Sequence, residues 1–475
     1  MAGKYVAYSE YKDSGVEWLG EIPSAWNVCR VKNIAELNPS KSELKNQPDD
    51  YLVSFLPMET IGEQGELDCT RVKKLSDVIG GYTYLADGDA FVAKITPCFE
   101  NGKGAVAKDL VNGVGFATTE VIPLRPFQKG DSQFIYYLLH CDPFMALAEG
   151  SMYGAGGQKR VADSFVAEYH LALPELSERS AIANFLDHET AKIDTLIEEQ
   201  KTLIRLLQEK RQAVISHAVT KGLPSITGAD VPMKDSGVEW LGEVPEHWEV
   251  SPLKYLVRHK SGIQMGPFGG MLKDLEYTDT GFKLYGQENT ISGDFSKGRR
   301  WLAQERYNEL SNYNLAKGDI VLTRKGSLGN ARLIENLQTP GIIDSDTIRV
   351  RVNPVKLKGE FLSLLMHEAH YIAEQIQRTR RGSVLPGLNS ETIANLKILA
   401  PSLKEQDELV AEIKRLIEFY DHSLDECFSK CDLLQERRTA LISAAVTGKI
   451  DVRDWAAPTP VVARQQEQQT TEAVE

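Results

Sequence analysis

The sequence reads KDSGVEWLGEIPSAW at residues 12–26 and KDSGVEWLGEVPEHW at residues 234–248. The first ten residues of the two copies are identical, and a proline and a final tryptophan recur after them. The copies lie 222 residues apart (234 minus 12). Chance does not place such a match twice in one chain. The sequence therefore contains an internal repeat, which predicts one structural unit used twice.

A second repeated stretch ends each half of the chain. It reads LQEKRQAVISHAVT at residues 207–220 and LQERRTALISAAVT at residues 434–447, a separation of 227 residues (434 minus 207). Between the repeated ends, residues 27–173 and 251–400 share little beyond anchors such as Gly88-Asp89 and Gly318-Asp319. Repeated ends that enclose divergent segments predict two modules with the same function and different targets.

The stretch from residue 177 to residue 220 contains neither proline nor glycine and has a seven-residue period, which predicts a long helix with a coiled-coil seam. A helix of this length spans about 60 Å. Leu196 and Leu203 are predicted to complete the seam, while a plain amphipathic core helix is the alternative. Cys427 and Cys431 are interpreted as seam residues rather than zinc ligands. The seam positions predicted on the two helices are Leu186, Ile193, Gln200, Leu207 and Val214, and Ile413, Tyr420, Cys427, Leu434 and Leu441.

Composition narrows the class of protein. The chain has 475 residues, 42% of them hydrophobic, and a net charge of −13. It has no apolar run long enough to span a membrane and no signal-peptide pattern, and its six cysteines are too sparse for a disulfide scaffold, so a cytoplasmic location is expected. The charge is uneven: residues 251–400 carry 21 basic and 15 acidic residues, whereas residues 27–173 carry 14 and 19. A basic module within an acidic chain fits contacts with phosphates.

Motifs of catalysis are missing from the sequence. It has no G-x-x-x-x-G-K-[ST] phosphate loop, no dinucleotide-binding fingerprint after a strand and no Asn/Asp-Pro-Pro-aromatic loop of an amino-methyltransferase. The single Pro48-Asp49 has no Glu-x-Lys close downstream, which argues against a nuclease metal site. We therefore expect no catalytic residue and no metal site in this chain.

The duplicated opening and the duplicated helix end resemble those of specificity subunits of type I restriction–modification systems, over about residues 5–450. Three stretches resemble recurring loops of that family's target recognition domains: residues 93–103 (AKITPCFENGK), 261–269 (SGIQMGPFG) and 323–329 (TRKGSLG). The resemblance implies a non-catalytic subunit that reads a bipartite, gapped DNA target. It also implies docking of two methyltransferase subunits and, through them, restriction subunits. S-adenosylmethionine, ATP and Mg²⁺ are then expected in the partner subunits and not in this chain.

The expected fold is mixed α/β (α+β), with two target recognition domains separated by two long antiparallel coiled-coil helices in a pseudo-two-fold repeat. The predicted segments are a repeat segment (1–26), the first recognition domain (27–173), a spacer helix (174–222), a linker with the second repeat segment (223–250), the second recognition domain (251–400), a distal spacer helix (401–450) and a tail predicted to be disordered (451–475).

Candidate DNA-binding residues come from polar positions in glycine- and proline-rich segments, where side chains of arginine, lysine, asparagine and glutamine can reach bases or phosphates. Trp18, Trp26, Trp240 and Trp248 are predicted to pack in the core where module and helix meet, and Asn289 to cap a turn. The DNA-binding candidates are Lys94, Thr96, Asn101, Lys103, Ser151, Tyr153 and Gln158 in the first module, and Gln264, Lys273, Arg324, Lys325, Ser327, Asn330, Arg378, Arg380 and Arg381 in the second.

Other functions remain open at this point. A stand-alone enzyme would need a catalytic constellation that the sequence does not display. A structural coiled-coil adaptor would bind no DNA selectively. The specificity subunit of a methylation-only system has the same sequence features as that of a restricting system. The target sequence itself cannot be read from the chain, because divergent recognition domains follow no simple residue-to-base code.

Overall fold

The computed structural model describes residues 5–155, 157–259, 261–268, 271, 278–298, 300–324, 330–380 and 388–457. The chain divides into two compact units. Unit 1 comprises residues 1–201 with 428–475, and unit 2 comprises residues 202–427.

Unit 1 contains two four-stranded sheets, short helices and parts of the two long helices. Its strands are β1 (Tyr11–Asp13), β2 (Glu21–Pro23), β3 (Asn27–Arg30), β4 (Ala35–Leu37), β5 (Leu52–Leu56), β6 (Val72–Lys74), β7 (Thr83–Ala86), β8 (Ala90–Ala93), β9 (Gly104–Val106), β10 (Val114–Ala117), β11 (Val121–Pro126) and β12 (His170–Leu173). Its short helices are Leu75–Val78, Ser132–Leu139, Asp142–Ser151 and Asp163–Glu168.

Unit 2 is built in the same way. Its strands are β13 (Met233–Asp235), β14 (Glu243–Pro245), β15 (Glu249–Pro252), β16 (Ile263–Met265), β17 (Phe282–Tyr285), β18 (Trp301–Leu302), β19 (Asn314–Leu315), β20 (Ile320–Thr323), β21 (Ala331–Leu333), β22 (Gly341–Ile343), β23 (Thr347–Val350) and β24 (Lys397–Ala400). Its short helices are Pro224–Thr227, Gln287–Ser292, Gln304–Glu309, Gly359–Glu368, His370–Arg380 and Ser390–Asn395.

The two modules share one sheet topology although their sequences diverge. The order β6-β5-β10-β7 in unit 1 corresponds to β18-β17-β22-β19 in unit 2, and in each sheet the two central strands are parallel. The order β4-β11-β8-β9 corresponds to the fully antiparallel β16-β23-β20-β21. The pairs β12-β3 and β24-β15 bring the two ends of each module side by side. The architecture is thus mixed helix and sheet with an internal repeat, as predicted.

The repeated opening forms the same hairpin in both units. β1 pairs with β2, and β13 with β14, in matching antiparallel register. In each copy an aspartate accepts a hydrogen bond from the glycine two residues later: Gly15 N to Asp13 and Gly237 N to Asp235, both at 2.9 Å. Identical sequence therefore gives identical turn chemistry at the two sites.

The hairpins hold one tryptophan of each copy in the core. Trp26 and Trp248 are fully buried, and each indole donates to a glutamate of a long helix: Trp26 to Glu178 at 3.1 Å and Trp248 to Glu405 at 3.0 Å. This confirms the packing prediction for these two residues. The prediction is wrong for Trp18, which is 41% exposed and stacks on Tyr169. Trp240 is partly buried against the core of unit 2.

Two long helices supply one wall of each core. The central helix is Leu176–Lys221 and the distal helix is Leu403–Val446. Among the predicted seam residues, Leu186, Ile193, Ile413, Tyr420, Cys427 and Leu441 are buried, whereas Gln200, Leu207, Val214 and Leu434 are partly buried.

The second stripe of the seam was assigned wrongly. Leu196 and Leu203 are 44% and 41% exposed, while Ile197 and Ile204, one position later, are buried. A seven-residue period fits a stripe at either the third or the fourth position after the first, because both lie on the same side of a helix. Packing inside the folded units selects the fourth position.

Equivalent ion pairs join the two long helices in each unit. In unit 1, Arg438 donates to Asp194 at 2.8 Å, and in unit 2, Arg211 donates to Asp421 at 2.8 Å. Both the arginines and the aspartates are separated by 227 residues, the interval of the repeated helix end. Along the central helix the order is Asp194 then Arg211, and along the distal helix it is Asp421 then Arg438, which is the pairing that antiparallel helices give.

The Gly-Asp anchors noticed in the sequence are buried carboxylates. Asp89 accepts two hydrogen bonds from Arg125 at 2.8 Å, and Asp319 accepts two from Arg351 at 2.7 and 3.0 Å. Each aspartate also accepts a backbone N–H three residues earlier. A buried charge is costly unless it is paired and hydrogen-bonded, which explains why these residues persist in modules that otherwise differ.

Candidate nucleic-acid interface

The two candidate segments of the first module lie against each other. Residues 94–103 connect β8 to β9, and residues 151–160 follow the Asp142–Ser151 helix. Thr96 joins them: its amide donates to Lys159 O at 3.0 Å, its hydroxyl donates to Gly157 O at 2.8 Å and accepts from Lys159 N at 3.0 Å. Two segments chosen separately from the sequence therefore form one surface, the first recognition surface (residues 94–103 and 151–160).

Several side chains of this surface face solvent. Tyr153 is 61% exposed, and a pair of backbone hydrogen bonds to Arg160 holds its backbone. Gln158 and Lys159 are exposed. Arg160 binds Glu120 through two hydrogen bonds at 2.9 and 2.7 Å, and this pairing lowers the pKa of Glu120. An exposed tyrosine beside amide and ammonium groups provides both stacking and hydrogen-bonding chemistry for DNA.

Other candidates of the first module bind protein groups. Lys103 donates to the carbonyls of Met58 and Ile61 at 3.1 and 2.8 Å, so its ammonium is used inside the module. Lys94 pairs with Asp163 at 3.5 Å, and the Ser151 hydroxyl donates to a carbonyl of its own helix.

Asn101 is exposed and donates to Glu63 at 3.1 Å. These contacts orient the first recognition surface. Its exposed residues include Tyr153, Gln158 and Lys159, as well as the acidic Glu100. Lys159 is not among the DNA-binding candidates predicted from the sequence.

The second module places Arg324 at the position equivalent to Lys94. Arg324 follows β20 as Lys94 follows β8. The Arg324 amide donates to Asp346 O at 2.9 Å and its carbonyl accepts from Leu388 N at 3.0 Å. The Lys94 amide and carbonyl bind Glu120 O and Val161 N in the same way. Arg324 and Lys94 are thus equivalent residues of the two modules, which their sequences did not reveal.

The remaining candidates of the second module have mixed placements. Arg324 donates to Ser345 O at 3.2 Å, and Asn330 is partly buried where the connection enters β21. Gln264 lies on β16 and donates to the neighbouring Met265 O. Arg378 is exposed and pairs with Glu374 at 2.7 Å. The candidates Lys273, Lys325, Ser327 and Arg381 lie outside the described residues, as does the side chain of Arg380.

Asn289 is a framework residue, as predicted. It is fully buried, accepts from Gly286 N at 3.0 Å and donates to the carbonyls of Asp294 and Lys297. Sequence reasoning missed His140, whose two ring nitrogens lie 2.7 and 3.0 Å from the carbonyls of Tyr136 and Gly102, so that the neutral ring donates to one of the two. Burial lowers the pKa of His140 to about 4. It lies far from Gly102 in sequence, and no local pattern connects the two.

Two further observations bear on the class of protein. Among the described residues, no group of three or more histidine, cysteine, aspartate or glutamate side chains is arranged to hold a metal ion. Within the same ranges, every helix is too short or too polar to cross a membrane.

Comparison with known proteins finds similarity to one family. The family model "Type I restriction modification DNA specificity domain" matches residues 269–422. The EcoEI and EcoAI specificity subunits of Escherichia coli are 35% and 37% identical over 189 and 164 residues. The chain is similar to type I restriction–modification specificity subunits over these stretches. The EcoKI specificity subunit of E. coli aligns over 93% of this chain and 92% of its own length at 20% identity.

Solved structures support the fold of a specificity subunit. A chain from "Structural basis underlying complex assembly and conformational transition of the type I R-M system" matches with a TM-score of 0.68 at 14% identity, over 90% of this chain and 99% of that chain. The HsdS subunit from Thermoanaerobacter tengcongensis matches with a TM-score of 0.51 at 15% identity, over 90% and 98%. The alignments to the EcoEI and EcoAI subunits span only 31% and 27% of those relatives, or 39% and 34% of this chain.

Proposed function

We propose that this specificity subunit is the DNA-reading component of a type I complex and recognises a bipartite, gapped target, one half with each module. The observation that carries the proposal is the equivalence of the candidate segments. Lys94 and Arg324 hold equivalent places at the ends of β8 and β20 in two modules of one topology, yet the segments that follow them differ in sequence. A DNA target with two unlike halves requires two recognition modules of different sequence on one repeated scaffold.

The proposal gives the long helices a spacing role. The modules read the same face of the duplex, so their half-site centres lie about one helical turn apart, roughly 34 Å. Base edges are read in the major groove by hydrogen bonds, and each wrong base pair costs about 1–3 kcal/mol. Phosphate contacts from exposed basic groups such as Lys159 add affinity without selectivity.

The chain itself supplies no catalytic step in this proposal. It docks two methyltransferase subunits, and restriction subunits join through them. S-adenosylmethionine, ATP and Mg²⁺ act in those partners, and the complex works in the cytoplasm. The relatives EcoEI, EcoAI and EcoKI are named specificity subunits, which supports this division of labour.

The test is adenine methylation across the genome, measured by single-molecule sequencing with and without this gene in cells that carry the partner methyltransferase. We expect a two-part gapped motif whose methylation disappears with the gene. Replacing residues 27–173 by the corresponding module of another specificity subunit should change one half of the motif and leave the gap unchanged. The matched control replaces residues 251–400 and should change the other half.

Two results would contradict the proposal. An unchanged methylome, in cells where the chain co-purifies with an active methyltransferase, would favour an adaptor that reads no sequence. A swap that changed both halves would show that the modules do not read independently. A methylation-only system would give the expected motif without restriction of incoming DNA that lacks methylation, and a phage-plating assay separates the two systems.

A further inference from the structure

The first recognition surface rests on a turn that also reaches the long helices. This turn, residues 58–67, lies between β5 and β6. Lys103 donates to the carbonyls of Met58 and Ile61, and Asn101 donates to Glu63. The 58–67 turn therefore supports the closing half of the β8–β9 connection through its side chains.

Arg438 of the distal helix binds the same turn. Its Nε donates to Asp194 of the central helix at 2.8 Å, and its Nη2 lies 3.4 Å from the carbonyl of Gln64. The side chain of Arg438 is only 6% exposed, so solvent does not replace these partners. A single guanidinium thus connects two helices and the turn that carries the recognition surface.

The surroundings of Arg438 leave the turn little freedom. A Cβ on Gly65 would lie 2.9 Å from the hydroxyl oxygen of Tyr136, so only glycine fits there without displacement. The Tyr136 ring in turn packs on the His140 ring with centroids 4.3 Å apart, and His140 binds the carbonyl of Gly102 in the β8–β9 connection. A second chain of contacts therefore leads from the turn to the recognition surface.

The repeat provides an internal comparison for Arg438. Arg211 is its equivalent in unit 2 and binds the equivalent aspartate, Asp421. The second partner differs, because Arg211 binds the carboxylate of Glu368 at 2.9 Å, at the end of the Gly359–Glu368 helix. The two arginines thus share a helix-to-helix ion pair, whereas the contact with the turn of a recognition module belongs to Arg438.

We propose that Arg438 is a positioning residue for sequence reading, which holds the 58–67 turn so that the first module alone discriminates its half-site correctly. The inference rests on the proposed function, since it assigns a role within the reading of one half-site. Arg438 touches no base in this proposal and acts through Gln64 and the turn. Among the described residues, the side chain of Arg211 binds Asp421 and Glu368, both in unit 2, so its loss should not relax reading by the first module.

The experiment compares Arg438→Gln with the matched variant Arg211→Gln, each in the full chain with its methyltransferase. The methylome is scored for sites that carry one wrong base in either half of the motif, and the swap of residues 27–173 identifies the first half. With Arg438→Gln, methylation at sites mismatched in the first half should rise about tenfold relative to matched sites, as expected if about 1.4 kcal/mol of discrimination is lost. Mismatches in the second half should stay as rare as in the wild type. Arg211→Gln should leave discrimination of the first half unchanged.

Two further variants separate positioning from stability. Gly65→Ala disturbs the turn and leaves the ion pair between the helices intact, and it should relax the same half-site. Arg438→Lys keeps a cation able to bind Asp194 and should restore part of the discrimination. Thermal unfolding of all variants shows whether Arg438→Gln and Arg211→Gln are comparably destabilised.

Three outcomes would overturn the proposal. These are equal relaxation of both halves, relaxation of the first half by Arg211→Gln, or no effect of Gly65→Ala. A changed gap length in the motif would show that Arg438 sets only the helix geometry. Failure of the underlying function looks different, because the wild-type chain itself would then give no gapped motif.

Discussion

Replacing Thr96 by valine tests whether the two segments of the first recognition surface act as one. Valine keeps the β-branched shape of threonine and removes the hydroxyl, which donates to Gly157 O at 2.8 Å and accepts from Lys159 N at 3.0 Å. A neutral hydrogen bond contributes about 0.5–1.5 kcal/mol, and Thr96 is only partly buried, so the two together should contribute about 1–2 kcal/mol. The backbone bond from Thr96 N to Lys159 O remains.

This loss should appear locally and in DNA binding. Exchange of the Lys159 amide, measured by hydrogen–deuterium exchange, should accelerate about tenfold, since local opening becomes easier by about 1.4 kcal/mol. Affinity of the assembled complex for its target, measured by fluorescence anisotropy, should fall by about three- to tenfold, because the bound surface must be ordered. Global unfolding should change little.

A matched control is Thr195→Val. The Thr195 hydroxyl donates to Ala191 O at 2.8 Å on the exposed face of the central helix, away from the recognition surface. It should leave both readouts unchanged. Unchanged Lys159 exchange together with unchanged affinity in Thr96→Val would refute the reasoning, because the two segments would then not depend on the hydroxyl.

Three other changes have defined outcomes. Lys159→Gln should weaken binding to matched and mismatched DNA alike. In a salt series, the slope of log K against log salt concentration should become smaller in magnitude by about 0.9. A selective effect on one sequence would instead assign Lys159 to base reading. Trp26→Phe and Trp248→Phe should each lower the free energy of unfolding by about 2 kcal/mol in urea titrations, because each removes a hydrogen-bond donor to a helix carboxylate, which is partly buried at Glu178 and buried at Glu405. A loss in only one unit would contradict the equivalence of the two sites. Because burial lowers the pKa of His140 to about 4, the unfolded chain takes up the proton first as the pH falls below its ordinary value of 6.5. The stability contributed by neutral His140 is therefore present above pH 6.5, and on the order of 3 kcal/mol of it is lost between pH 6.5 and 4. In the variant His140→Gln, the free energy of unfolding should depend less on pH over this range.

The frame was predictable from the sequence because its signals are local or repeated. The ten identical residues of the two openings fold into the same hairpin, and the stretch without proline or glycine forms one helix from Leu176 to Lys221. The choice between Leu196 and Ile197 as seam residues was not predictable, because both fit the period and only packing within the unit separates them. The different burial of the two tryptophans was not predictable for the same reason. Trp18 and Trp26 lie in one motif, but only Trp26 donates a hydrogen bond to the helix residue Glu178.

The recognition surface was predictable in part. Glycine, proline and polar residues pointed to the segments at residues 94–103 and 151–160, but the direction of each side chain depends on distant partners. Lys103 turns inward because the carbonyls of the 58–67 turn, some forty residues away, lie within its reach. The equivalence of Lys94 and Arg324 was hidden as well, because backbone hydrogen bonds define it and the sequences around them differ.

The structure also bears on how whole modules can be exchanged. Each module enters and leaves the frame through paired antiparallel strands, with Asn27 opposite Leu173 and Glu249 opposite Ala400. A graft at these strands preserves the register of the frame, because neighbouring strands are only about 4.8 Å apart. Arg438 adds a second requirement for a graft, besides the strand register. Arg438 belongs to the distal helix, which is kept, and it binds the carbonyl of Gln64, which belongs to the exchanged module. A grafted first module should therefore read its half-site faithfully only when it supplies an acceptor at that point, and a graft without one should raise methylation at sites mismatched in that half while the gap and the other half stay unchanged.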